Sequence, residues 1–529
     1  MDVSSPSVPP PTYELSAERL KGAQAAEQGA SSKAAMGVMF SIGAIQVLII
    51  LVNMGRAKFM SVYLGPTGFG VIGTIDQVVL SLVQLAGLSL PFTALKFLSR
   101  SHSESHSRFQ TSYSSFLRGM VSLSFLALLI VAALLAWKPA LFGSDLVPYR
   151  DIVTVAILTV PALMLNIFFV HTLAAAQKSS IGALLSFCVT FCLACAACAG
   201  VMAGGIRMLY IATAGTGVLT TLASLFFVRH RLKLKIADPL AGIVRELRRS
   251  PEVISFSFML YVALSVYSLA MLITRYFVFS RLGELEAGLL QALFGISLAL
   301  GAVLGPMNNL YLTPLVNRTI PDREKLLASH GFQKKIILLL TVVVLPALLF
   351  PKIVLAVLFS PQFYPAAGVL YLFILWQVLY QVVNVYQQLL IGLDDVLYYS
   401  VTTAAGFGIA AILCPLLIPP LGLAGAALAL IFGILINGLA TAVRLQVKFH
   451  AGIPAGVWQL ILYCLGSIVV AGYLFSQLEQ WSLAGFALRI LYALGFTFLT
   501  WRLLNQEEQF FFISLARRFL PRWNSSSHL

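Results

Sequence analysis

Fourteen apolar runs of about twenty residues follow one another along this chain, and they leave it little choice of fold. They are centred on 34–55, 68–93, 115–136, 150–171, 180–203, 207–228, 253–279, 286–315, 335–356, 366–391, 397–418, 421–443, 457–476 and 483–503. Each is long enough to cross the ~30 Å hydrocarbon core of a bilayer as a helix, which satisfies its backbone polar groups internally. Only 10% of residues are charged and mean hydropathy is +0.90, whereas an average soluble domain carries about 25% charged residues. A soluble all-helical core is excluded, because soluble helices need polar faces. The expected fold is an all-α polytopic membrane protein with about fourteen transmembrane helices.

Short matches recur at a nearly constant offset. Leu64-Gly65 with Gly70 returns as Leu282-Gly283 with Gly288, an offset of 218, and Leu141-Phe142 with Pro148 returns as Leu358-Phe359 with Pro365, an offset of 217. Asn166 and Asn384, Arg100 and Arg318, and Gly205 and Gly422 follow the same two offsets. Five matches in order point to a duplicated half of six spans, as internal repeats do in transporters. The expected lobes are 34–228 and 253–443, joined by a basic cytoplasmic linker over 229–252 and followed by two extra helices within 457–503. An even number of spans per copy gives both halves the same direction in the membrane. Their pseudo-two-fold axis then lies along the membrane normal, and the natural site is the cavity between the lobes.

Basic residues set the orientation. With the N-terminus inside, cytoplasmic segments hold 24 of the 35 Lys and Arg, the opposite loops hold 7, and four fall in or at the ends of spans. This satisfies the positive-inside rule with both termini cytoplasmic. The net charge of +15 is then mainly a matter of topology and lipid headgroups, and nucleic-acid binding is not needed to explain it. Residues 1–33, polar and rich in Pro, Ser and Ala, are expected to be disordered and do not form a signal peptide. The linker, with RHRLKLK and RELRR, and the amphipathic tail over 504–529 read as interfacial anchors.

Chemistry of the enzymatic kind is not expected. All six cysteines lie in spans, and the cluster Cys188, Cys192, Cys195 and Cys198 reads as small-residue packing, since a lipid-embedded helix is a poor place for a thiolate. His102 and His106 have no third ligand in sight. P-loop, G-x-S-x-G and H-E-x-x-H motifs are missing. No cofactor or metal is implied.

The informative residues are charges inside the membrane. Arg56 and Lys58 close the first span, Arg275 lies within the seventh, and Lys96 sits near the cytoplasmic end of the second. At an offset of 217 Lys58 falls opposite Arg275, so the two are expected to face each other across the cavity. An unpaired Arg near a helix centre costs about 2.5–3.5 kcal/mol on insertion scales, so such residues usually have a functional partner. Asp76 is the one carboxylate well inside a span, too few to neutralise them. A surplus of cations suits an anionic ligand, and a diphosphate would be an effective one. For Arg56 and Lys58 the alternative is snorkelling to the outer headgroups.

Uncharged polar stripes accompany these charges. Gln377, Gln381, Asn384 and Gln388 share one helix face at i, i+4, i+7 and i+11. Thr74, Gln77, Ser81 and Gln84 do the same in the second span, and the eighth offers Asn308, Asn309 and Tyr311. They read either as interhelical glue, worth about 0.6 kcal/mol per bond, or as the lining of a hydrated cavity for hydroxyl-rich groups such as sugars.

The segment GRAKFMSVYLGPTGFGVIGTIDQVVLSLVQLAGLSLPFTALKFLSR resembles the first two helices of Wzx-type polysaccharide flippases. LFSPQFYPAAGVLYLFILWQVLYQVVNVYQQLLIGLDDV, followed by IPPLGLAGAALAL, is similar to the tenth to twelfth helices of that family. The resemblance covers residues 34–450 or so through short motifs in matching order. It implies an inner-membrane flippase of the superfamily that includes lipid II flippases and multidrug and toxin extruders, working by alternating access on polyprenyl-diphosphate-linked oligosaccharide. It places the diphosphate on Arg56, Lys58, Lys96 and Arg275 and the sugar among Gln77, Gln84, Asn308, Gln377, Gln381, Asn384 and Gln388. Asp76 is then the candidate for ion coupling or a structural partner of a nearby basic or amide group. Membrane lipids and a polysaccharide polymerase or glycosyltransferases are the partners it implies. A lipid II flippase is the nearest alternative. A multidrug antiporter would need more carboxylates, and a membrane scaffold would leave the charges unexplained.

Overall fold

The computed structural model describes residues 13–137, 144–234, 251–307, 321–450, 452–478 and 482–504, with 506 and 509. In chain order its α-helices are α1 (Tyr13–Gly87), α2 (Leu90–Glu104), α3 (His106–Trp137), α4 (Arg150–Ile157), α5 (Val160–Ala175), α6 (Ser179–Leu232), α7 (Pro251–Leu282), α8 (Glu284–Met307), α9 (Asp322–Leu349), α10 (Pro351–Leu358), α11 (Leu370–Gly392), α12 (Val396–Leu421), α13 (Leu423–Phe449), α14 (Ala455–Gln477) and α15 (Leu483–Leu503). Single 3-10 turns cover Ser144–Tyr149 and Pro361–Gly368. Among the described residues there is no strand.

Among the described residues eleven helices are long and apolar enough to cross a membrane, or twelve when the bent pair Pro361–Gly368 and Leu370–Gly392 counts as one span. The fourteen expected runs exceed that figure because two helices each hold two runs. The stretch Ile42–Gly87 has 46 residues and α6 has 54, about 70 and 80 Å of helix and more than twice a hydrocarbon core. α1 is broken at Gly65 (φ 67°) and α6 at Gly204 and Gly205 (φ 66° at the second). A left-handed φ is cheap only for glycine, so these residues are where the chain can turn back.

The duplication is written in the backbone. Ten described residues have positive φ, and eight form four pairs at the repeat offset: Gly65 with Gly283, Gln177 with Asp394, Gly205 with Gly422, and Lys233 with His450. The helix boundaries agree, since α12 starts and α13 ends 217 residues after α6 starts and ends. Helices α1–α6 pack on one another as one lobe and α7–α13 as the second. Each lobe has an aromatic centre. Tyr113 stacks on Phe168 at 5.7 Å in the first, and Phe294 meets Phe373 at 5.3 Å and Trp376 at 5.7 Å in the second. Outward faces stay apolar, with Leu129, Leu219 and Phe226 about two-thirds exposed, as lipid contact requires.

The last two helices stand outside the repeat. α14 packs on α9 and α11, and α15 packs on α14. Arg489 of α15 is fully buried and donates to the carbonyls of Leu349 (2.6 Å), Leu478 (3.2 Å) and Phe475 (3.4 Å). These are carbonyls at the ends of α9 and α14, where helix dipoles favour a cation.

The N-terminal edge of the fold departs from expectation. α1 begins at Tyr13, inside the stretch 1–33 whose composition pointed to disorder; from Ser16 to Ala35 that stretch is rich in Ala, Glu, Gln and Lys, which are good helix formers. Residues 1–12, most of the linker (235–250) and nearly all of the tail lie outside the described residues.

Candidate functional site

Gly65 stands nine residues after Arg56 and eleven before Asp76, so a fold-back there brings the two to similar depths, about 14 and 16 Å from the turn. That is the middle of a ~30 Å core. The two arms of α1 meet accordingly: Arg56 donates to Asp76 Oδ2 at 3.1 Å. Tyr210, five residues past the Gly205 turn of α6, donates to Asp76 Oδ1 at 2.8 Å and lies 3.3 Å from the carbonyl of Ile72. Both carboxylate oxygens are thus in use, while the side chains of Arg56 and Asp76 remain 30% and 29% exposed.

The exposed part of the pair faces two cavities. One of about 310 Å³ lies between the lobes, lined from α1 by Asn53, Arg56, Met60, Phe69 and Asp76 and from the second lobe by Gln291, Ala299, Leu358 and Phe359. The other, about 200 Å³, lies within the first lobe, where Thr159, Asn166, Tyr210 and Thr213 join Arg56 and Asp76. Arg56 and Asp76 are the charged residues lining these cavities. Among the described residues the inter-lobe cavity therefore carries one charge-balanced pair, without the expected surplus of positive charge.

The other expected cations hold the lobes together. Lys58 donates to the carbonyl of Ala356 at 2.7 Å, in the last turn of α10 and across the lobe junction. Arg275 is buried in α7 and donates to the carbonyl of Gly73 in the opposite lobe at 2.8 Å and to the side chain of Gln291. Its guanidinium lies 5.0 Å from the Phe294 ring centre. Lys58 and Arg275 thus have separate partners, which corrects the facing pair expected from the sequence. The reason is register. Gly65 and Gly283 fix the local offset at 218, so Lys58 falls opposite Tyr276 and Arg275 opposite Ala57, one residue and about 100° around a helix. At that offset Asp76 corresponds to Phe294 and Arg56 to Thr274, so the first lobe's ion pair has no counterpart in the second. A similar slip moves Asn166 from Asn384 to Val383.

Around these cations the lobes are closed at the turn end. Gly70 and Gly288, also 218 apart, bring α1 and α8 into backbone contact; a Cβ on Gly288 would overlap the Pro66 carbonyl, and one on Gly70 the Glu284 carbonyl. Phe69, Phe359 and Phe363 pack together at 5.4–5.9 Å, and Tyr149 donates to Glu284 across the junction.

The remaining candidates lie elsewhere. Lys96 is exposed, with its ammonium 4.4 Å from the Phe256 ring centre, and lines neither cavity. Gln377 and Gln381 are buried with their amides against Gly301, Gln388 donates to Asn384 at 3.4 Å, and Gln77 donates to Ser81 at 3.4 Å. Gln84 is partly exposed, and none of these lines either cavity. Asn308 lies outside the described residues. No group of three or more metal-ligating side chains occurs among the described residues.

Sequence reasoning passed over Tyr210, Gln291 and Asn53. Gln291 carried a signal, since it stands 218 residues after Gly73, whereas nothing local marks Tyr210 as the partner of a carboxylate 134 residues away.

Two repeated helical lobes meet around a cavity at their junction. Solved proteins share this architecture. The lipid II flippase MurJ in an inward closed conformation superposes with a TM-score of 0.66 over 87% of this chain and 98% of its own, at 13% identity. An inward-facing multidrug resistance MATE family transporter of the MOP superfamily gives 0.56 over 80% and 98%, at 14% identity. A MATE protein in a bent conformation gives 0.55 over 82% and 97%, at 15% identity. At such identities the likeness is one of fold, a multi-pass membrane fold used by flippases and transporters. No protein-family model and no curated protein matches the sequence.

Proposed function

We propose that the chain is a flippase that moves polyprenyl-diphosphate-linked oligosaccharide from the cytoplasmic to the outer leaflet of a bacterial inner membrane, as Wzx-type proteins do. The carrying observation is Arg56, a partly exposed guanidinium near mid-membrane on the wall of the inter-lobe cavity. A guanidinium there is suited to a diphosphate, which it can bind through two parallel hydrogen bonds. The fold shared with a lipid II flippase supports the reading, because that protein also handles a lipid-linked substrate. With both termini cytoplasmic, the glycine-packed end is the outer one, so the described state is closed outside. Lys58 and Arg275 hold that seal, and their carbonyl partners lie in the opposite lobe. When the lobes part, both cations are released into the opened cleft, where they meet the diphosphate on its way out. A polymerase or glycosyltransferases on either side of the membrane are the partners this reaction needs.

A lipid II flippase is the second reading, favoured by the extent of the MurJ superposition. Purified protein in proteoliposomes, offered a polyprenyl-diphosphate oligosaccharide beside lipid II, separates the two. Faster transfer of the oligosaccharide lipid supports the first reading, and transfer of lipid II alone replaces it with the second. Export of a cationic dye without transfer of either lipid overturns both.

A further inference from the structure

The ion pair at the cavity raises a problem of selectivity. A bilayer is full of phospholipids whose phosphodiester headgroups carry a single negative charge, and a free guanidinium opening into an inter-lobe cavity would bind them. Here the guanidinium is not free. Asp76 holds Arg56 at 3.1 Å and is itself fixed on its other oxygen by Tyr210 at 2.8 Å. Asp76 occupies one nitrogen of the guanidinium and balances its charge, so an anion that binds Arg56 does so in competition with this carboxylate.

We infer that Asp76 is a specificity-determining residue: a built-in competitor for Arg56 that excludes singly charged lipid headgroups and admits a diphosphate. The inference rests on the proposed role of Arg56 as the diphosphate ligand. A phosphodiester offers Arg56 one negative charge against the one Asp76 already supplies, so the exchange gains little. A diphosphate brings at least two charges and more acceptor oxygens. It can engage Arg56 through two hydrogen bonds and still present charge to a second donor. Tyr210 makes the competitor effective. By donating to Asp76 Oδ1 near the Ile72 carbonyl it keeps the carboxylate in front of Arg56 instead of letting it swing away.

The test is a competition measured by native mass spectrometry on purified protein, with farnesyl diphosphate and a short-chain phosphatidylglycerol as probes. Wild type should prefer the diphosphate. In Asp76→Asn the ratio of diphosphate to phosphatidylglycerol bound should fall at least tenfold, mainly because phosphatidylglycerol binding rises. Tyr210→Phe, which keeps the carboxylate and loosens it, should give a smaller fall in the same direction and serves if Asp76→Asn does not fold. An unchanged ratio in both variants, or loss of diphosphate binding in Asp76→Asn, overturns the inference. Arg56→Gln separates it from the reading on which it rests. If diphosphate binding is the same in Arg56→Gln as in wild type, the assignment of Arg56 fails; if binding depends on Arg56 but ignores Asp76, only the competitor fails.

Discussion

Asp76 serves two donors from two helices, and Arg56 and Tyr210 reach it because each stands a short distance from a glycine turn, Arg56 before Gly65 and Tyr210 after Gly205. Replacing Arg56 by Gln keeps the bulk and some hydrogen bonding but removes the charge. Transfer of a diphosphate-linked lipid should then drop at least tenfold, with the protein still monodisperse and helical by circular dichroism. Arg489 makes the opposite case, a buried arginine with a structural task. Arg489→Leu leaves helix-end carbonyls at Leu349 and Leu478 unpaired and should lower stability by about 2–4 kcal/mol, read as an earlier thermal unfolding midpoint in detergent, while the probe preference of the cavity stays unchanged. Arg56 and Asp76 were visible in the sequence as charges among apolar neighbours, and a nearby basic partner was one of the two readings of Asp76. That the partner is Arg56 depends on how sharply α1 folds back at Gly65.

Elements were read more securely than contacts. Apolar length marked every span, and the four glycines that turn the chain, Gly65, Gly205, Gly283 and Gly422, were already among the repeat's matching residues. What failed was angular: an offset wrong by one residue put Lys58 opposite Arg275 and turned two inter-lobe ties into a facing pair. Polar stripes misled for a related reason. Gln377 and Gln381 do share a face, but Gly301 lets α8 close over it. The seal between α1 and α8 yields a prediction at this scale. Gly288→Leu puts a side chain where the Pro66 carbonyl stands, so the turn end should no longer close. A cysteine introduced at Ala299, on the cavity wall, should then react faster with a membrane-impermeant thiol reagent added to the turn-end side. Unchanged labelling would show that the seal tolerates a side chain. Gly283→Ala should cost about 1 kcal/mol or more through its φ of 94°, again read from the unfolding midpoint.

For the whole molecule, the lobes are alike in backbone and unlike in charge. Repetition supplies two helix bundles meeting across glycines at one end, and the cavity beyond that seal carries one arginine held by one carboxylate. Opening and closing about that junction would alternate access to the cavity, and Lys58 and Arg275 tie its closure to carbonyls of the opposite lobe. Closing needs both cations off any ligand, so Lys58→Ala with Arg275→Ala should weaken the seal and raise turn-end labelling of the cavity cysteine as Gly288→Leu does. The proposed carriage of a diphosphate-linked lipid on Arg56 is tested by the initial rate of leaflet-to-leaflet transfer of a polyprenyl-diphosphate oligosaccharide in proteoliposomes, wild type beside Arg56→Gln. Transfer by the wild type should stand well above protein-free vesicles and fall at least tenfold in the variant. Equal rates in the two proteins, or no transfer by either, would overturn that role for Arg56.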